Sequence, residues 1–150
     1  MRRALFILTN PGVLAVFLYR IQQALQHSRL RPMSNFVCAM NHFITGAEFV
    51  PGCEIEGGLV LRHPSGVVIG SGVRIGSDCI MQHGVTVGER YVDSKSDGRY
   101  PVIGNHVVIG TQAVILGEIF IGDSATVGAQ TLVTRDVPEG RTVVGRNELT

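Results

Sequence analysis

Hydrophobic residues recur at every sixth position over most of the chain. The large aliphatic positions are Ile69, Ile75, Met81 and Val87 and, after one interruption, Ile103, Ile109, Ile115, Ile121, Val127 and Val133. Glycine follows most of them, and a smaller side chain, such as Val73 or Cys79, stands four positions after them. One large and one smaller inward residue per short strand, with a turn between strands, is typical of a parallel β-solenoid.

The length of the periodic region sets the size of this solenoid. Three hexads form one coil of about eighteen residues, a triangular prism with a short parallel sheet on each face. Roughly twelve hexads fit between residues 55 and 137, which predicts about four coils. We therefore predict an all-β solenoid in which the aliphatic residues stack into ladders along the axis.

The first fifty residues show helical periodicity instead. Asn10 and Pro11 stand where an N-cap and a first helical residue are expected, and apolar residues then recur at three- and four-residue spacing to about Gln26. Residues 31–32 break this pattern, and a weaker helical stretch follows over residues 33–44. We interpret this region as a packing or oligomer-forming cap on the solenoid.

The change of period divides the chain into an N-terminal helical segment, residues 1–50, and a solenoid domain with a C-terminal tail, residues 51–150. Val87 and Ile103 are 16 residues apart, ten more than one hexad step. Residues 89–101 are therefore predicted to form a loop extruded from the coil. Polar loops on a rigid scaffold commonly carry function, and a neutral surface insertion is the alternative.

Charge and cysteine content exclude several classes of protein. Lys and Arg total 13 against 12 Asp and Glu, so no excess charge favours nucleic-acid binding. Three cysteines without a CxxC pair argue against a secreted disulfide framework. The apolar N-terminus is interrupted at residues 10–12 and ends at Arg20, unlike a signal peptide or membrane span. We expect a cytoplasmic protein, and peripheral contact of the N-terminal helices with the inner face of a membrane is left open.

His63 is the first candidate for chemistry. It stands six positions before Ile69, where the ladder would continue with an aliphatic residue. An imidazole can take a proton from a hydroxyl and return it to a leaving group near neutral pH. A lone histidine is nevertheless more often a structural group than a catalyst, so spacing alone leaves both interpretations open.

Four stretches in order carry a closer resemblance: LVLRHPSGVVIG (59–70), HGVTVGE (83–89), GRYPVIG (98–104) and VVIGTQAVILGEIFIGDSATVGAQTLVTRDVPEG (107–140). From about residue 46 to 145 the chain resembles the serine acetyltransferase branch of the hexapeptide-repeat acyltransferases. It resembles still more closely the exopolysaccharide O-acetyltransferases, such as the colanic acid enzymes. This resemblance implies a left-handed parallel β-helix, an exception to the usual right-handed crossover, with acetyl-CoA as co-substrate, a homotrimer and no required metal.

The same resemblance assigns the catalytic residues. It makes His63 the general base that takes the proton of an acceptor hydroxyl, which then attacks the thioester of acetyl-CoA. In the serine enzymes an Asp directly precedes this histidine, whereas here the neighbour is Arg62. Glu48, fifteen residues before His63, is the candidate carboxylate that orients the imidazole.

Departures from the serine enzymes bear on the acceptor. Their loop ends in Arg-His-Pro, and here it ends in Arg99, Tyr100 and Pro101. With Arg62 in place of the Asp, this argues against free serine, because a site built for a small zwitterion loses much when its partners change. We therefore predict a saccharide acceptor, free or lipid-linked, in exopolysaccharide or cell-surface polysaccharide biosynthesis. Its predicted contacts are His83, Arg99, Tyr100 and Arg62, and serine O-acetylation in cysteine biosynthesis is the alternative.

The resemblance places acetyl-CoA in a groove between neighbouring subunits. Small residues after the repeat glycines would let the pantetheine arm approach the backbone. The predicted contacts are Gly110, Thr111, Gly128 and Ala129, with Arg146 near the nucleotide phosphates.

Two other functions use the same solenoid. Zinc proteins like carbonic anhydrase need a pair of histidines five residues apart, whereas His63, His83 and His106 are separated by 20 and 23 residues. A non-catalytic docking scaffold would explain the repeat but neither His63 nor the extruded loop. Both alternatives are therefore less favoured than an acyltransferase.

Overall fold

The computed structural model describes residues 9–26, 28–90 and 99–147, and the side chain of residue 147 is not described. Within these residues, two helices, α1 (Pro11–Gln26) and α2 (Arg31–Thr45), precede fifteen short strands. The strands are β1 (Glu48–Phe49), β2 (Glu54–Ile55), β3 (Val60–Leu61), β4 (Val68–Ile69), β5 (Arg74–Ile75), β6 (Ile80–Met81), β7 (Thr86–Gly88), β8 (Val102–Ile103), β9 (Val108–Ile109), β10 (Val114–Leu116), β11 (Phe120–Ile121), β12 (Thr126–Val127), β13 (Leu132–Val133), β14 (Thr142–Val143) and β15 (Arg146–Asn147). Most of the predicted loop, residues 91–98, and the end of the predicted tail, residues 148–150, lie outside the described residues.

The strands form three sheets in which neighbours come from successive coils. Sheet A has the order β1-β4-β7-β10-β13-β15, sheet B the order β2-β5-β8-β11 and sheet C the order β3-β6-β9-β12-β14. The described pairings are parallel, for example Glu48 with Val68 and Val68 with Thr86. The chain therefore winds as a three-sided solenoid, as the six-residue period predicts.

Three corners join the sheets, and each is named by the sheets that it connects. Corner CA contains residues 62–66, 83–84, 111–112 and 129–130. Corner AB contains residues 51–52, 71–72 and 117–118 and is the corner from which the loop leaves. Corner BC contains residues 57–58, 77–78, 105–106 and 123–124.

Stacked inward side chains form the core that the sequence pattern predicts. The large aliphatic positions from Ile69 to Val133 are buried, and so are the smaller positions between them, such as Val73 and Cys79. The coils extend beyond residues 55–137, the region from which the number of coils is predicted, because β1 precedes it and β14 and β15 follow it. The first strand begins at Glu48, shortly before the predicted boundary at residue 51.

The prediction that His63 occupies a ladder slot is wrong. Leu61 is buried in that slot and is in register with Met81. Leu61 and Ile69 are eight residues apart, so the first turn at corner CA is two residues longer than a hexad allows. The buried Pro64 and the exposed Gly66, which has φ +72°, turn the chain here, and His63 is left exposed on the corner.

The start of α1 and the end of α2 have the expected capping chemistry. Asn10 caps α1, since its Oδ1 accepts a hydrogen bond from the N–H of Val13 at 3.2 Å. Helix α2 begins at Arg31, so residues 31–32 belong to its first turn and do not precede it as predicted. Gly46 ends α2 in the left-handed conformation and donates its N–H to the His42 carbonyl. Neither described helix is long and apolar enough to cross a membrane.

Helix α1 lies directly against the first coil. A Cβ at Gly12 would lie 2.0 Å from the Leu61 carbonyl oxygen, so only glycine permits this approach. The Tyr19 hydroxyl donates to the Cys53 carbonyl at 3.1 Å and accepts from the Ile55 N–H at 3.0 Å. Burial raises the pKa of Tyr19 and raises that of the Cys53 thiol to about 12, so both groups stay protonated.

Other side chains from the helices bind three more carbonyls at this end of the solenoid. Gln22 Nε2 donates to the Phe49 carbonyl at 2.6 Å, and Cys38 Sγ donates to the same oxygen at 3.2 Å. The Arg20 guanidinium donates to the carbonyls of Ile55 and Glu56. The helix pair therefore replaces the coil that would otherwise precede β1.

Candidate active site

Corner CA forms a continuous column along the solenoid. Backbone hydrogen bonds link its turns, from Gly66 N–H to the Gly46 carbonyl at 2.8 Å, Gly84 to Ser65 at 3.0 Å, Gln112 to His83 at 2.9 Å and Gln130 to Thr111 at 2.7 Å. Each turn is therefore held directly above the one before it, and the side chains on this corner form one row.

Two histidines lie on adjacent turns of this column. The rings of His63 and His83 have centroids 6.1 Å apart and are nearly perpendicular, at 74°. Both residues are exposed, and neither imidazole hydrogen-bonds to a described residue. His63 therefore has a ring nitrogen available to accept a proton from a bound molecule.

Glu48 flanks the same corner. It lies on β1, two residues after Gly46, and its Oε2 is 4.0 Å from Nδ1 of His42 in the last turn of α2. His63 lies two residues before the neighbouring turn of the column. The structure thus places a carboxylate and the candidate base at one corner, and direct orientation of His63 by Glu48 stays a prediction.

Arg62 is adjacent to His63 and exposed, but it also lines a separate groove. This groove has a volume of about 560 Å³ and lies between α1 and β3, with Phe17 and Val60 on its walls. Arg62 therefore lies between two surfaces, the histidine corner and the side of α1.

Arg99 and Tyr100 lie on a different corner of the same chain. The Tyr100 hydroxyl accepts a hydrogen bond from Ser71 Oγ at 3.2 Å, and a Cβ at Gly72 would lie 2.1 Å from the Tyr100 ring. Arg99 Nε lies 3.9 Å from Glu118 Oε2, on the next turn of corner AB. Sheet A separates this corner from His63, so a single chain does not bring all the predicted acceptor residues together.

The predicted acetyl-CoA residues lie mostly on corner CA. Thr111 and Ala129 are in the same column as the two histidines. A Cβ at Gly110 would lie 2.6 Å from the Ala129 nitrogen, and one at Gly128 would lie 2.9 Å from Val144 Cγ1. Gly110 is therefore required for stacking one coil on the next, because its neighbour is backbone, whereas the exposed Val144 side chain could move away from a Cβ at Gly128. Arg146 lies on β15, in register with Leu132 of sheet A.

Two exposed glutamines extend this row and were missed in the sequence. Gln130 Nε2 donates to Gln112 Oε1 at 3.3 Å, and both residues have positive φ near +55°. Their position in the repeat could have identified them, because each is the second residue of a turn in corner CA. Across the described ranges 9–26, 28–90 and 99–147, no group of three metal-ligating side chains is present.

Comparison with known proteins places this geometry in context. No family profile matches the chain. A serine acetyltransferase of Helicobacter pylori is 41% identical over 140 residues, which cover 93% of this chain and 80% of the relative. A serine acetyltransferase of Synechococcus elongatus is 36% identical over 93% of this chain and 56% of the relative. The structure of soybean serine acetyltransferase complexed with serine superposes with a TM-score of 0.86 at 35% identity, covering 93% of this chain and 56% of that one.

These similarities confirm two predictions and overturn a third. They confirm the left-handed β-helix with preceding helices and the class of enzyme, an acetyl-CoA-dependent O-acyltransferase. The prediction of a saccharide acceptor is wrong, since the relatives found are serine acetyltransferases. The closer relation to colanic acid enzymes is not supported by these relatives. Tyr100 was weak evidence for a sugar, because its ring and hydroxyl are held by residues 71–72 of its own chain. The chain spans about half the length of the solved structures that it matches.

Proposed function

Because the chain belongs to the serine acetyltransferase family, we propose that it transfers the acetyl group of acetyl-CoA to the side-chain hydroxyl of L-serine. The observation that carries this proposal is the 41% identity to a serine acetyltransferase across nearly the whole chain. The exposed histidine corner supports it, because the transfer needs a base that a hydroxyl group can reach.

In this proposal His63 is the general base. Its imidazole takes the proton of the serine hydroxyl while the oxygen attacks the thioester carbonyl of acetyl-CoA. The tetrahedral intermediate then collapses with cleavage of the C–S bond, and the imidazolium returns the proton to the departing thiolate of coenzyme A. The acetyl group thus passes from sulfur to the serine oxygen, the proton passes from the serine hydroxyl to coenzyme A, and no covalent enzyme intermediate is required.

Glu48 is proposed to orient the base. A carboxylate that accepts a hydrogen bond from one imidazole nitrogen leaves the other nitrogen free to accept a proton, and it stabilises the imidazolium that forms. Glu48 lies on the correct corner for this role, and its contact with His42 restricts where its carboxylate can move.

The row of side chains on corner CA is proposed to hold the donor. Thr111, Ala129 and the stacked glycines beside them form a strip of small residues along the column from His63, next to the exposed side chains of Gln112 and Gln130. A pantetheine arm laid along this row brings the thioester towards His63 and His83. Arg146 supplies a positive charge further along the solenoid for the nucleotide phosphates.

The acceptor end of the site is proposed to come from a second copy of the chain. A guanidinium binds a carboxylate well, because it can donate two parallel hydrogen bonds. The family resemblance assigns Arg99, at the end of the loop, to the carboxylate of serine. Within one chain Arg99 is held at corner AB by Glu118, across sheet A from His63. A homotrimer in which corner AB of one copy meets corner CA of the next completes the site.

Steady-state kinetics with purified protein test the proposed reaction. We expect release of coenzyme A with L-serine at a kcat/KM of about 10⁴ M⁻¹s⁻¹ or more. A thiol reagent can follow this release, since Cys38, Cys53 and Cys79 are buried and react slowly. Glycine, which has no hydroxyl, is the control acceptor. The proposal is wrong if coenzyme A is released no faster with serine than with glycine.

A further inference from the structure

Helix α2 carries a stripe of exposed apolar side chains on the face opposite to its packing face. The stripe consists of Met33, Phe36, Met40, Phe43 and Ile44, and it includes Phe43 at 90% exposure and Phe36 at 64%. The first four are spaced by three, four and three residues, which puts them in one line along a helix. The opposite face, with Val37 and Asn41, is buried against α1 and the first coil.

The size and charge of the stripe indicate a protein partner. If a fully exposed side chain of this kind presents roughly 200 Å², the stripe exposes on the order of 600 Å², the upper end of what single patches on monomers reach. Helices that lie on membranes are rich in Lys and Arg. Residues 31–45 contain one such residue, Arg31. This composition favours a second apolar protein surface over lipid.

The position of α2 specifies which protein surface. Its first turn lines a crevice with Pro51 at corner AB, Cys38 contacts the Phe49 carbonyl of β1, and Gly46 joins corner CA. The helix thus runs along the edge of sheet A from one corner to the other. These are the two corners that the proposed function brings together from neighbouring copies.

Three triangular prisms joined in this way enclose an axis that sheet A faces, because corners CA and AB both flank that sheet. Three of the outward residues of sheet A, Val68, Val114 and Leu132, are apolar and partly exposed, which suits such a position. We propose that the stripe on α2 is covered by α2 of the other two copies around this axis. This inference rests on the shared site of the proposed function, and it assigns a contact that holds the copies together around that site.

Charge substitution in the stripe tests the proposal. We expect wild-type protein to sediment as a trimer, and the double variant Phe36→Glu with Phe43→Glu to raise the dissociation constant of the assembly by about 100-fold or more. Both side chains are exposed, so an unchanged circular dichroism spectrum is expected for the variant. The matched control is Phe120→Glu, at a residue of sheet B that is 50% exposed and faces away from the axis.

Disulfide cross-linking identifies the occupant directly. With Phe36→Cys in every copy, mild oxidation is expected to join two of the three chains, because equivalent residues meet around the axis. Phe120→Cys is expected to give no such product, and the native cysteines are buried. A trimer that withstands both stripe charges, a Phe36→Cys protein that does not cross-link, or a stripe that binds phosphatidylcholine vesicles while the trimer is unaffected would overturn the proposal.

Failure of this inference is distinguishable from failure of the proposed function. Serine acetylation by a wild-type protein whose trimer is insensitive to the stripe charges refutes the α2 contact and leaves the reaction standing. If the stripe charges dissociate the trimer but the wild-type protein does not acetylate serine, the α2 contact is supported and the proposed reaction is refuted.

Discussion

The His63 imidazole lies on an extended turn outside the core, while Leu61 fills the neighbouring core position. Replacing the ring therefore creates no cavity and breaks no hydrogen bond among the described residues. We expect His63→Ala to lower kcat by about 10² to 10⁴, because the base acts in the transition state. The melting temperature and the oligomer are expected to stay unchanged, as measured by calorimetry and sedimentation on the preparation used for kinetics.

His106 provides the matched control for this substitution. It is also an exposed histidine on a turn, but it lies at corner BC and has φ +56°, which Asn tolerates. His106→Asn is expected to keep wild-type turnover. A fully active His63→Ala protein, or equal losses in the two variants, contradicts the role assigned to His63.

Some of these residues could be located from the sequence and others could not. The six-residue period gave the core side chains, and the family motif identified His63. The period could not show the two extra residues at 62–66, since a count assumes a constant step until the register of Leu61 with Met81 is known. Nor could it show that Arg99 and His63 lie on different corners, because the period does not define the faces on either side of an extruded loop.

At the level of the coil, close stacking makes some repeat glycines irreplaceable and leaves others free. A Cβ at Gly110 would lie 2.6 Å from the Ala129 nitrogen, whereas a Cβ at Gly88 meets nothing within 4 Å. We expect Gly110→Ala to lower the free energy of unfolding by about 1–3 kcal/mol, and Gly88→Ala to change it by no more than about 0.5 kcal/mol. Urea denaturation measures both. Equal stability of the two variants would show that the coils can move apart.

Polar side chains form a hydrogen-bonded ladder along corner BC. Asp123 Oδ1 accepts the Asn105 N–H at 2.8 Å, and Asn105 Oδ1 accepts the Ser77 N–H at 2.9 Å. The hydrogen bonds from the Asn105 backbone and then its side chain hold the pKa of the Asp123 carboxyl below its ordinary value. The carboxylate thus favours the folded state, fully above the unfolded pKa near 3.8 and less as the pH falls through the folded value.

Substitution of Asp123 tests this ladder. We expect Asp123→Ala to lower the melting temperature at pH 7 and to lose that difference progressively as the pH falls below about 4. Asp78→Asn is the control, because the Asp78 carboxylate lies at the same corner without a hydrogen bond to a described residue. A difference between wild type and Asp123→Ala that is the same at pH 7 and pH 3 would contradict this assignment.

For the whole molecule, the proposed function makes catalysis a property of the assembly, because the residues of the site lie on two separate corners of one chain. We expect His63→Ala and Arg99→Ala each to be nearly inactive as a homotrimer. Coexpression of the two variants is expected to restore about a quarter of wild-type activity, because random assembly leaves about that share of junctions with both residues intact. Activity is measured on the purified mixed protein. No recovery above the separate variants would place the whole site within one chain.

The helix side chains that bind the carbonyls of the first coil also determine how the solenoid can grow. An unpaired coil end is a template on which another molecule can add strands, and stacked β-solenoids have such an edge at each end. Tyr19, Gln22 and Arg20 occupy that template at the amino-terminal end. A chain shortened to begin near Glu48 would therefore expose unpaired strand edges at this end, and its molecules could stack end to end into fibres. Lengthening the protein by whole coils is compatible with this design only downstream of the first one.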